Sequence, residues 1–270
     1  MNLQLHEPPI AEDDPMIGQR LGNYDITRKI GQGGMGVVYQ ARHASLNRLV
    51  AIKFLAAQFS ADSVYVERFL KEAQAAARLN HPNIISVHDA GVFEEVYYFV
   101  MEYVRGFDAA RLLDKGEVFA ETRAIRLIQR VASALAYAHA EGVVHHDIKP
   151  GNLFLTSEGQ IKIGDLGLAT WVKERGSSLM EPGVAVGTPA YISPEQISGG
   201  GTVDSRTDIY SLGATFYHLV TGQIPYSGDT SEEVMSKHVT EPFPWPQEIR
   251  PELSEALCHI ISKMMAKDVA

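Results

Sequence analysis

Four polar side chains in this sequence have the types and spacing needed for one kind of chemistry. Asp147, Lys149 and Asn152 stand at fixed offsets within residues 145–152, and Asp165 follows at the start of an Asp-Leu-Gly triplet. Together they supply a carboxylate for a hydroxyl proton, a cation, and two oxygen donors for a metal ion. These are the parts required for phosphoryl transfer from Mg-ATP.

The predicted roles follow from the chemistry of each side chain. Asp147 is the candidate base that orients a substrate hydroxyl and accepts its proton, and Lys149 would stabilise charge on the transferred phosphoryl group. Asn152 and Asp165 offer oxygen ligands suited to Mg²⁺, which completes its shell with phosphates and water. A lone Asp-Leu-Gly is a common turn, but the strand-like run at residues 161–163 before it favours the metal role.

A glycine-rich segment near the N-terminus predicts a contact with nucleotide phosphates. Residues 31–38 fit the pattern G-x-G-x-x-G-x-V, which suits a hairpin whose backbone approaches phosphates with no Cβ in the way. The pattern by itself is also typical of a glycine-rich turn. A dinucleotide-binding site would need a helix after the glycines, whereas another β-branched run follows here.

A lysine in an apolar run strengthens the nucleotide prediction. In Val50-Ala51-Ile52-Lys53 the alternation of a strand puts Ala51 and Lys53 on one face, where Ala51 can pack on an adenine ring and Lys53 can reach the α and β phosphates. Burying Lys53 without a counter-ion would be costly. Glu72 is the predicted partner, because it lies beside the inward stripe of Phe69, Ala73 and Ala76. Pairing of Glu72 with Arg68 on the same helix is the alternative.

From these residues the chain is identified as resembling the eukaryotic-like (Hanks-type) Ser/Thr protein kinases. The resemblance runs from about Tyr24 to the C-terminus, and the Lys149-Pro150-Gly151-Asn152 form is similar to the Ser/Thr branch rather than the Tyr branch. It implies an α+β, two-lobed fold with a β-rich N-lobe that contains one key helix and a larger, mainly helical C-lobe. It also implies ATP and Mg²⁺ as cofactors, with Mn²⁺ as an alternative metal.

The resemblance assigns a set of nucleotide-binding positions. Met101 would be the gatekeeper residue, Glu102 to Val104 the adenine-binding hinge, and Asp108 a ribose contact. The predicted nucleotide site comprises Ile30, Gly31, Gln32, Gly33, Gly34, Met35, Gly36, Val38, Ala51, Lys53, Glu72, Glu102, Val104 and Asp108.

Two further segments resemble family motifs around the acceptor substrate. Residues 187–195 resemble the loop that receives the substrate residue after the phosphorylated one, and Thr188 in it would hydrogen-bond Asp147 and Lys149. Asp208 resembles the buried aspartate that holds the catalytic loop through backbone hydrogen bonds. The alternative for Asp208 is an acid at a helix N-terminus.

Two departures from the family pattern affect regulation and chain length. His146 stands where the family usually has an arginine that grips a phosphorylated activation loop, so a switch through such a contact is in doubt; Thr170, Ser177 and Ser178 are candidate sites in that loop. Glu195 normally pairs with an arginine that is missing near the C-terminus. Since an unpartnered buried charge costs about 3–5 kcal/mol, the sequence favours a domain cut from a longer protein.

Composition limits the partners and the location. A formal net charge of −9 argues against nucleic acid as the main partner. The single cysteine, Cys258, cannot form an internal disulfide and is interpreted as a small core residue. No signal peptide or membrane-spanning run is recognisable, which predicts a cytoplasmic protein or the cytosolic domain of a longer, membrane-anchored one. Oligomeric state is left open.

Hydrophobic patterning predicts the domain organisation. Residues 1–16 are interpreted as an acidic flexible tail, 17–104 as the N-lobe with strand-like runs and one helix, and 105–270 as a helical C-lobe apparently truncated before its last helix. A cleft and hinge are expected near residues 102–106. The leading function is an ATP-dependent protein Ser/Thr kinase with a protein acceptor. A pseudokinase or nucleotide-binding scaffold and a small-molecule phosphotransferase are the alternatives.

Overall fold

The computed structural model describes residues 14–33, 36–60, 62–165, 189–198 and 203–268, apart from the side chains of Ala57, Gln58, Val64, Arg68 and Glu72. The chain forms two compact units, and the division falls between Gly106 and Phe107. Strands dominate the first unit and helices the second.

The first unit is built on a six-stranded sheet of short, β-branched and aromatic runs. The strands lie in the order β1-β2-β3-β4-β6-β5 and each pairs antiparallel with its neighbour. They are β1 (Arg20–Leu21), β2 (Tyr24–Gly33), β3 (Gly36–His43), β4 (Arg48–Leu55), β5 (Val87–Phe93) and β6 (Val96–Glu102).

Two helices complete the first unit, α1 (Ala57–Ser60) and α2 (Ser63–Arg78). The predicted inward stripe of α2 is confirmed, because Val66, Phe69 and Ala73 are buried in one cluster with Phe99 of β6. The helix ends at Arg78, shortly before Pro82, a residue type that favours the end of a helix.

The chain just before the sheet is anchored to it. Met16 and Ile17 pack on the cluster that contains Tyr39, and the Tyr39 hydroxyl donates to the Asp14 carboxylate at 2.9 and 3.0 Å. Burial, followed by this hydrogen bond, raises the pKa of Tyr39. Residues 14–16, which the sequence assigned to the flexible tail, are therefore held against the sheet.

The second unit combines a small sheet with six helices in the described residues. Its strands are β7 (Gly106–Asp108), β8 (Leu153–Thr156) and β9 (Ile161–Ile163), in the order β7-β8-β9. Its helices are α3 (Ala109–Leu113), α4 (Glu121–Ala140), α5 (Pro194–Ser198), α6 (Arg206–Thr221), α7 (Ser231–Thr240) and α8 (Glu255–Met264).

Apolar spacing predicts one inward stripe on α4, of Ile125, Ile128, Val131 and Leu135, and another on α6, of Ile209, Leu212, Phe216 and Leu219. All of these are buried except Ile125, which is half-buried, and Ile209, which is 39% exposed. The placement of Ile209 was wrong because α6 is buried over most of its circumference, so apolar periodicity alone could not locate its one exposed edge.

The starts of two helices in this unit agree with the residue types found there. Thr230 caps α7 by accepting a hydrogen bond from the Glu233 backbone N–H at 3.1 Å, and α5 begins at Pro194 directly after Ser193. Among the residues the structure describes, none of the helices combines the length and apolar character needed to cross a bilayer.

A buried histidine predicts how stability depends on pH. His238 of α7 is fully buried and its Nδ1 lies 2.9 Å from the Tyr210 hydroxyl. Burial, helped by the charge of Lys267, lowers the pKa of His238 to about 4. The unfolded chain binds this proton near pH 6.5, so the contribution of His238 to stability is present above about pH 6.5 and is lost toward pH 4, up to roughly 3 kcal/mol.

Urea unfolding at several pH values measures this effect. We expect His238→Gln to reduce the fall in unfolding free energy between about pH 7 and pH 5, whereas His259→Gln, at an exposed position, leaves it unchanged. An unchanged slope in His238→Gln would contradict the assignment.

Candidate active site

The predicted catalytic loop, residues 145–152, is held by one buried carboxylate. Asp208, at the start of α6, is fully buried and accepts the backbone N–H groups of His145 at 2.8 Å and His146 at 2.7 Å. Its Oδ2 also lies 2.7 Å from His139 Nε2. Burial would raise the pKa of Asp208, but these hydrogen bonds outweigh it and lower the pKa. The predicted role of Asp208 as the anchor of this loop is confirmed.

The loop brings the predicted catalytic side chains together. Asp147 Oδ2 lies 2.7 Å from Lys149 Nζ and accepts from Asn152 Nδ2 at 3.1 Å. Asn152 Nδ2 also donates to the Asp147 carbonyl oxygen at 2.8 Å. Within the described residues both side-chain hydrogen bonds of Asn152 come from its amide nitrogen, so its side-chain oxygen is the atom that could bind a metal.

The second predicted metal ligand follows from the pairing of β8 with β9. Leu153 pairs with Ile163, and the Gly164 N–H donates to the Asn152 carbonyl at 2.9 Å. His145, which is fully buried, lies with its Nε2 2.9 Å from the Gly164 carbonyl. These bonds place the backbone of Asp165 next to that of Asn152. Asp165 has a left-handed φ of 53°, a conformation that Asp and Asn adopt more readily than most residues.

The side chains available as ligands indicate which metal ion this site would suit. In the part of the chain that the structure describes, no group of three or more His, Cys, Asp or Glu side chains could hold a metal ion. A pair such as Asn152 and Asp165 suits Mg²⁺, which needs only one or two protein oxygens when phosphates and water fill the rest of its shell. The donors present therefore fit the predicted ion.

His146 is buried on one side and has an unusual backbone. Its φ is 64°, and its ring Nδ1 has no hydrogen-bond partner within the described residues. Burial lowers the pKa of His146, although the nearby Asp208 charge opposes this. This lowering of the pKa favours the neutral imidazole, whereas an arginine at this position would keep its charge. The candidate phosphorylation sites Thr170, Ser177 and Ser178 lie outside the described residues, as do Leu166 and Thr188.

Residues 189–198 are tied to the start of α6. Thr207 Oγ1 donates to Glu195 Oε1 at 2.7 Å, and Ser193 Oγ lies 2.6 Å from Thr207 Oγ1. Glu195 is only partly buried. The penalty assumed for a buried, unpartnered Glu195 therefore does not apply, and Thr207 is a partner that the sequence did not indicate.

Strand β4 carries Ala51 and Lys53, two residues of the predicted nucleotide site. Ala51 and Lys53 are 4% and 6% exposed, and Ala51 pairs with Met101 of β6. Lys53 pairs with Val38 of β3, and its Nζ lies 5.9 Å from the centre of the Phe99 ring. The side chain of Glu72, the predicted partner of Lys53, lies outside the described residues.

The glycines of the predicted phosphate loop have different surroundings. A Cβ on Gly36 would lie 1.8 Å from the Phe54 carbonyl oxygen, and Gly36 has a φ of 155°. Among the described residues, a Cβ on Gly33 would have nothing within 4 Å, and one on Gly31 would meet only Val38 at 3.8 Å. Gly36 is thus required by the close approach of β3 to β4, whereas no described residue crowds Gly33. Gly34 and Met35 lie outside the described residues.

The other residues of the predicted nucleotide site lie on β2, at the end of β6 and just before α3. Ile30 and Gln32 belong to β2, and Glu102 is the last residue of β6 with Val104 just after it. Asp108 Oδ1 accepts the Arg111 backbone N–H at 2.8 Å and so caps α3. One oxygen of Asp108 is therefore engaged in capping, a role that the sequence did not predict.

Comparison with known proteins gives one consistent result. The model of the protein kinase domain family matches residues 24–270. The probable serine/threonine-protein kinase PknB of Lactococcus lactis is 40% identical over 247 residues, 91% of this chain and 39% of that protein. Serine/threonine-protein kinase PrkC of Bacillus subtilis is 37% identical over 94% of this chain and 39% of its own length. The crystal structure of the PknI kinase domain of Mycobacterium tuberculosis matches with a TM-score of 0.73 at 31% identity, covering 93% of this chain and 91% of that one.

Proposed function

Because this chain belongs to the protein kinase domain family, we propose that it transfers the γ-phosphoryl group of ATP to serine or threonine hydroxyls of proteins. The family and the α+β fold expected from the motifs are confirmed by the family match and by the likeness to PknI. The chain spans 39% of the length of PknB and of PrkC, so the activity and substrates of the whole protein are part of the proposal.

The observation that carries the proposal is the fixed geometry of the catalytic loop. Both described bonds to the Asp147 carboxylate go to Oδ2, from Lys149 and Asn152. Asp147 Oδ1 is therefore the oxygen that accepts the hydrogen bond, and then the proton, of the acceptor hydroxyl. Lys149 keeps its ammonium group beside this oxygen pair, where it stabilises charge on the phosphoryl oxygens.

The family uses ATP and a divalent metal, and we assign their binding to particular residues. Asn152 and Asp165 would hold Mg²⁺, which neutralises the charge that develops on the phosphates. Lys53 would orient the α and β phosphates and Ala51 would pack on adenine. Gly31 and Gly33 would leave room for the phosphates, since no described residue lies closer than 3.8 Å to the place where a Cβ would project from either.

The acceptor and the location are proposals of the same kind. We assign acceptor binding to residues 189–198, the substrate-docking segment, because hydrogen bonds tie it to α6 and to the catalytic loop. A protein with a Ser or Thr acceptor is the proposed substrate, in keeping with the names of PknB and PrkC. The net charge of −9 argues against nucleic acid as the main partner, and a cytoplasmic location of this domain remains a prediction from sequence.

Incubation with labelled ATP, Mg²⁺ and a generic protein acceptor tests the function. We expect label on Ser and Thr of the acceptor, and none when Mg²⁺ is chelated. Binding of ATP without transfer would identify a nucleotide-binding module instead. Label on small molecules alone would identify a small-molecule phosphotransferase.

Substitution of two glycines separates the fold from nucleotide binding. Gly36→Ala is expected to destabilise the protein by about 1–3 kcal/mol or more, because the new Cβ meets the Phe54 carbonyl in a strained backbone. Gly33→Ala should leave stability unchanged but raise the KM for ATP roughly tenfold, about 1.4 kcal/mol of binding. Thermal unfolding and steady-state kinetics measure the two effects. An unchanged KM in Gly33→Ala would mean that this glycine does not border the phosphates.

A further inference from the structure

Gln196 of α5 joins the substrate-docking segment to the catalytic loop. Its side chain is 8% exposed, and its Nε2 donates to the His146 carbonyl oxygen at 2.9 Å. Its Oε1 accepts from the backbone N–H of Ser193 at 3.2 Å and lies 3.1 Å from Ser193 Oγ. An N–H group faces one end of the amide and a carbonyl faces the other, so these partners fix the orientation of the amide.

The carbonyl that Gln196 holds belongs to the residue before the proposed catalytic base. His146 has a left-handed φ of 64°, a conformation that costs a non-glycine residue free energy and persists only when neighbours enforce it. The Asp208 carboxylate accepts the N–H of His146 at 2.7 Å, and Gln196 donates to the His146 carbonyl. Asp208 therefore holds the peptide between His145 and His146, and the next peptide, between His146 and Asp147, is held at its carbonyl by Gln196. The N–H of that second peptide donates to His145 Nδ1 at 3.2 Å.

The contacts around Gln196 form a closed polar network. Ser193 Oγ lies 2.6 Å from Thr207 Oγ1, and Thr207 in turn donates to Glu195. Thr207 directly precedes Asp208, so the two side chains that grip His146 are themselves connected. A shift of the substrate-docking segment would break this network or move the His146 carbonyl with it.

We propose that Gln196 is a positioning residue, which sets the direction of Asp147 only when the substrate-docking segment is in place. This inference rests on the proposed function, because it assigns base catalysis to Asp147. Glutamine suits the position because its amide both donates to a carbonyl and accepts from an N–H group. A carboxylate of the same length can only accept.

Gln196→Met tests the donor while keeping a side chain of similar length. Leaving the buried His146 carbonyl without a donor should lower kcat by about 10- to 100-fold, with the KM for ATP unchanged. Thr240→Ala is the matched control: it removes a comparable hydrogen bond from a side chain to a carbonyl, that of Ser236 in α7, outside the substrate-docking segment, and kcat should stay at the wild-type value.

Gln196→Glu adds a readout that a purely structural role would not produce. Above about pH 8 the carboxylate cannot donate, and kcat should fall as in Gln196→Met. Burial and the facing carbonyl raise the pKa of this glutamate above its usual value of about 4.3, and the protonated form donates through its O–H. The ratio of variant to wild-type kcat should therefore rise as pH falls toward about 6.

Other charged or titratable groups near this site are present in both proteins, so the ratio removes their effect. They are His146 and Asp208 at the catalytic loop, Glu195 on α5, Arg206 at the start of α6, and His238 on the packed helix α7. The chemical environment of these groups is common to wild type and variant apart from the amide replaced.

The outcomes separate the inference from the function it rests on. Inactive wild-type protein would overturn the proposed function and this inference with it. Active wild type with wild-type kcat in Gln196→Met would overturn the inference alone. If Gln196→Met is unfolded under the assay conditions, Gln196→Glu provides the test. A ratio of variant to wild-type kcat that does not change with pH refutes the positioning role, and a ratio that rises at low pH supports it.

Discussion

Asp147→Asn is expected to lower kcat by about 10²–10⁴-fold while the Kd for ATP stays close to wild type, because the amide cannot accept the proton of the acceptor hydroxyl. The loop should keep its shape. Its backbone is held by Asp208 through the N–H groups of His145 and His146, which the substitution leaves intact. Steady-state phosphorylation of a protein acceptor and titration with nucleotide measure the two quantities.

Loss of a negative charge needs its own control in this experiment. Asp204→Asn removes one carboxylate in the same unit, where Asp204 pairs with Arg206 at 2.9 Å and is partly exposed. Its kcat should equal that of the wild type. If Asp147→Asn kept more than about a tenth of wild-type kcat, a loss of under about 1.4 kcal/mol, the assignment of Asp147 as the base would be wrong.

Much of the site could be predicted because its chemistry is concentrated in a short stretch of sequence. Asp147, Lys149 and Asn152 lie within six residues, and a loop that short must keep them near one another. Asp165 follows a two-stranded hairpin whose register returns the chain to Asn152. Local order along the chain was therefore enough to bring Asp147, Lys149 and Asn152 together and to place the backbone of Asp165 next to that of Asn152.

The contacts that the sequence missed join distant parts of the chain. Gln196 meets the carbonyl of His146, and Thr207 meets Glu195. Neither pair leaves a periodic signal, since each depends on how α5 and α6 pack. Such tertiary polar contacts become visible only when the buried donors and acceptors are followed one by one.

The glycine and hydrophobic patterns do not by themselves reveal what each residue contacts. The pattern of residues 31–38 predicted open space for phosphates, yet Gly36 is required by the Phe54 carbonyl. Ile209 is apolar but exposed at the edge of a helix that is buried elsewhere. The same residue type can be favoured by contact with a ligand, with a neighbouring strand or with solvent, and the sequence does not distinguish these causes.

Asp165→Ala should lower kcat by about 10³-fold or more even in excess Mg²⁺, since a catalytic metal ion contributes several kcal/mol and each 1.4 kcal/mol is about tenfold in rate. Alanine is not a clean replacement here. Asp165 has a φ of 53°, which alanine adopts less readily, so part of the loss could come from backbone strain rather than from the missing ligand.

Asp165→Asn separates the two causes, because asparagine tolerates a left-handed backbone and keeps the size of the side chain while losing its charge. If Asp165 binds the metal, Asp165→Asn should match the wild type in thermal stability yet lose most of its activity and require more Mg²⁺ for half-maximal rate. Asp229→Ala, which removes an exposed carboxylate elsewhere in the same unit, should behave as wild type in both measurements. A wild-type Mg²⁺ requirement in Asp165→Asn would show that Asp165 serves the turn after β9 rather than the metal, and Asn152 would then need another partner.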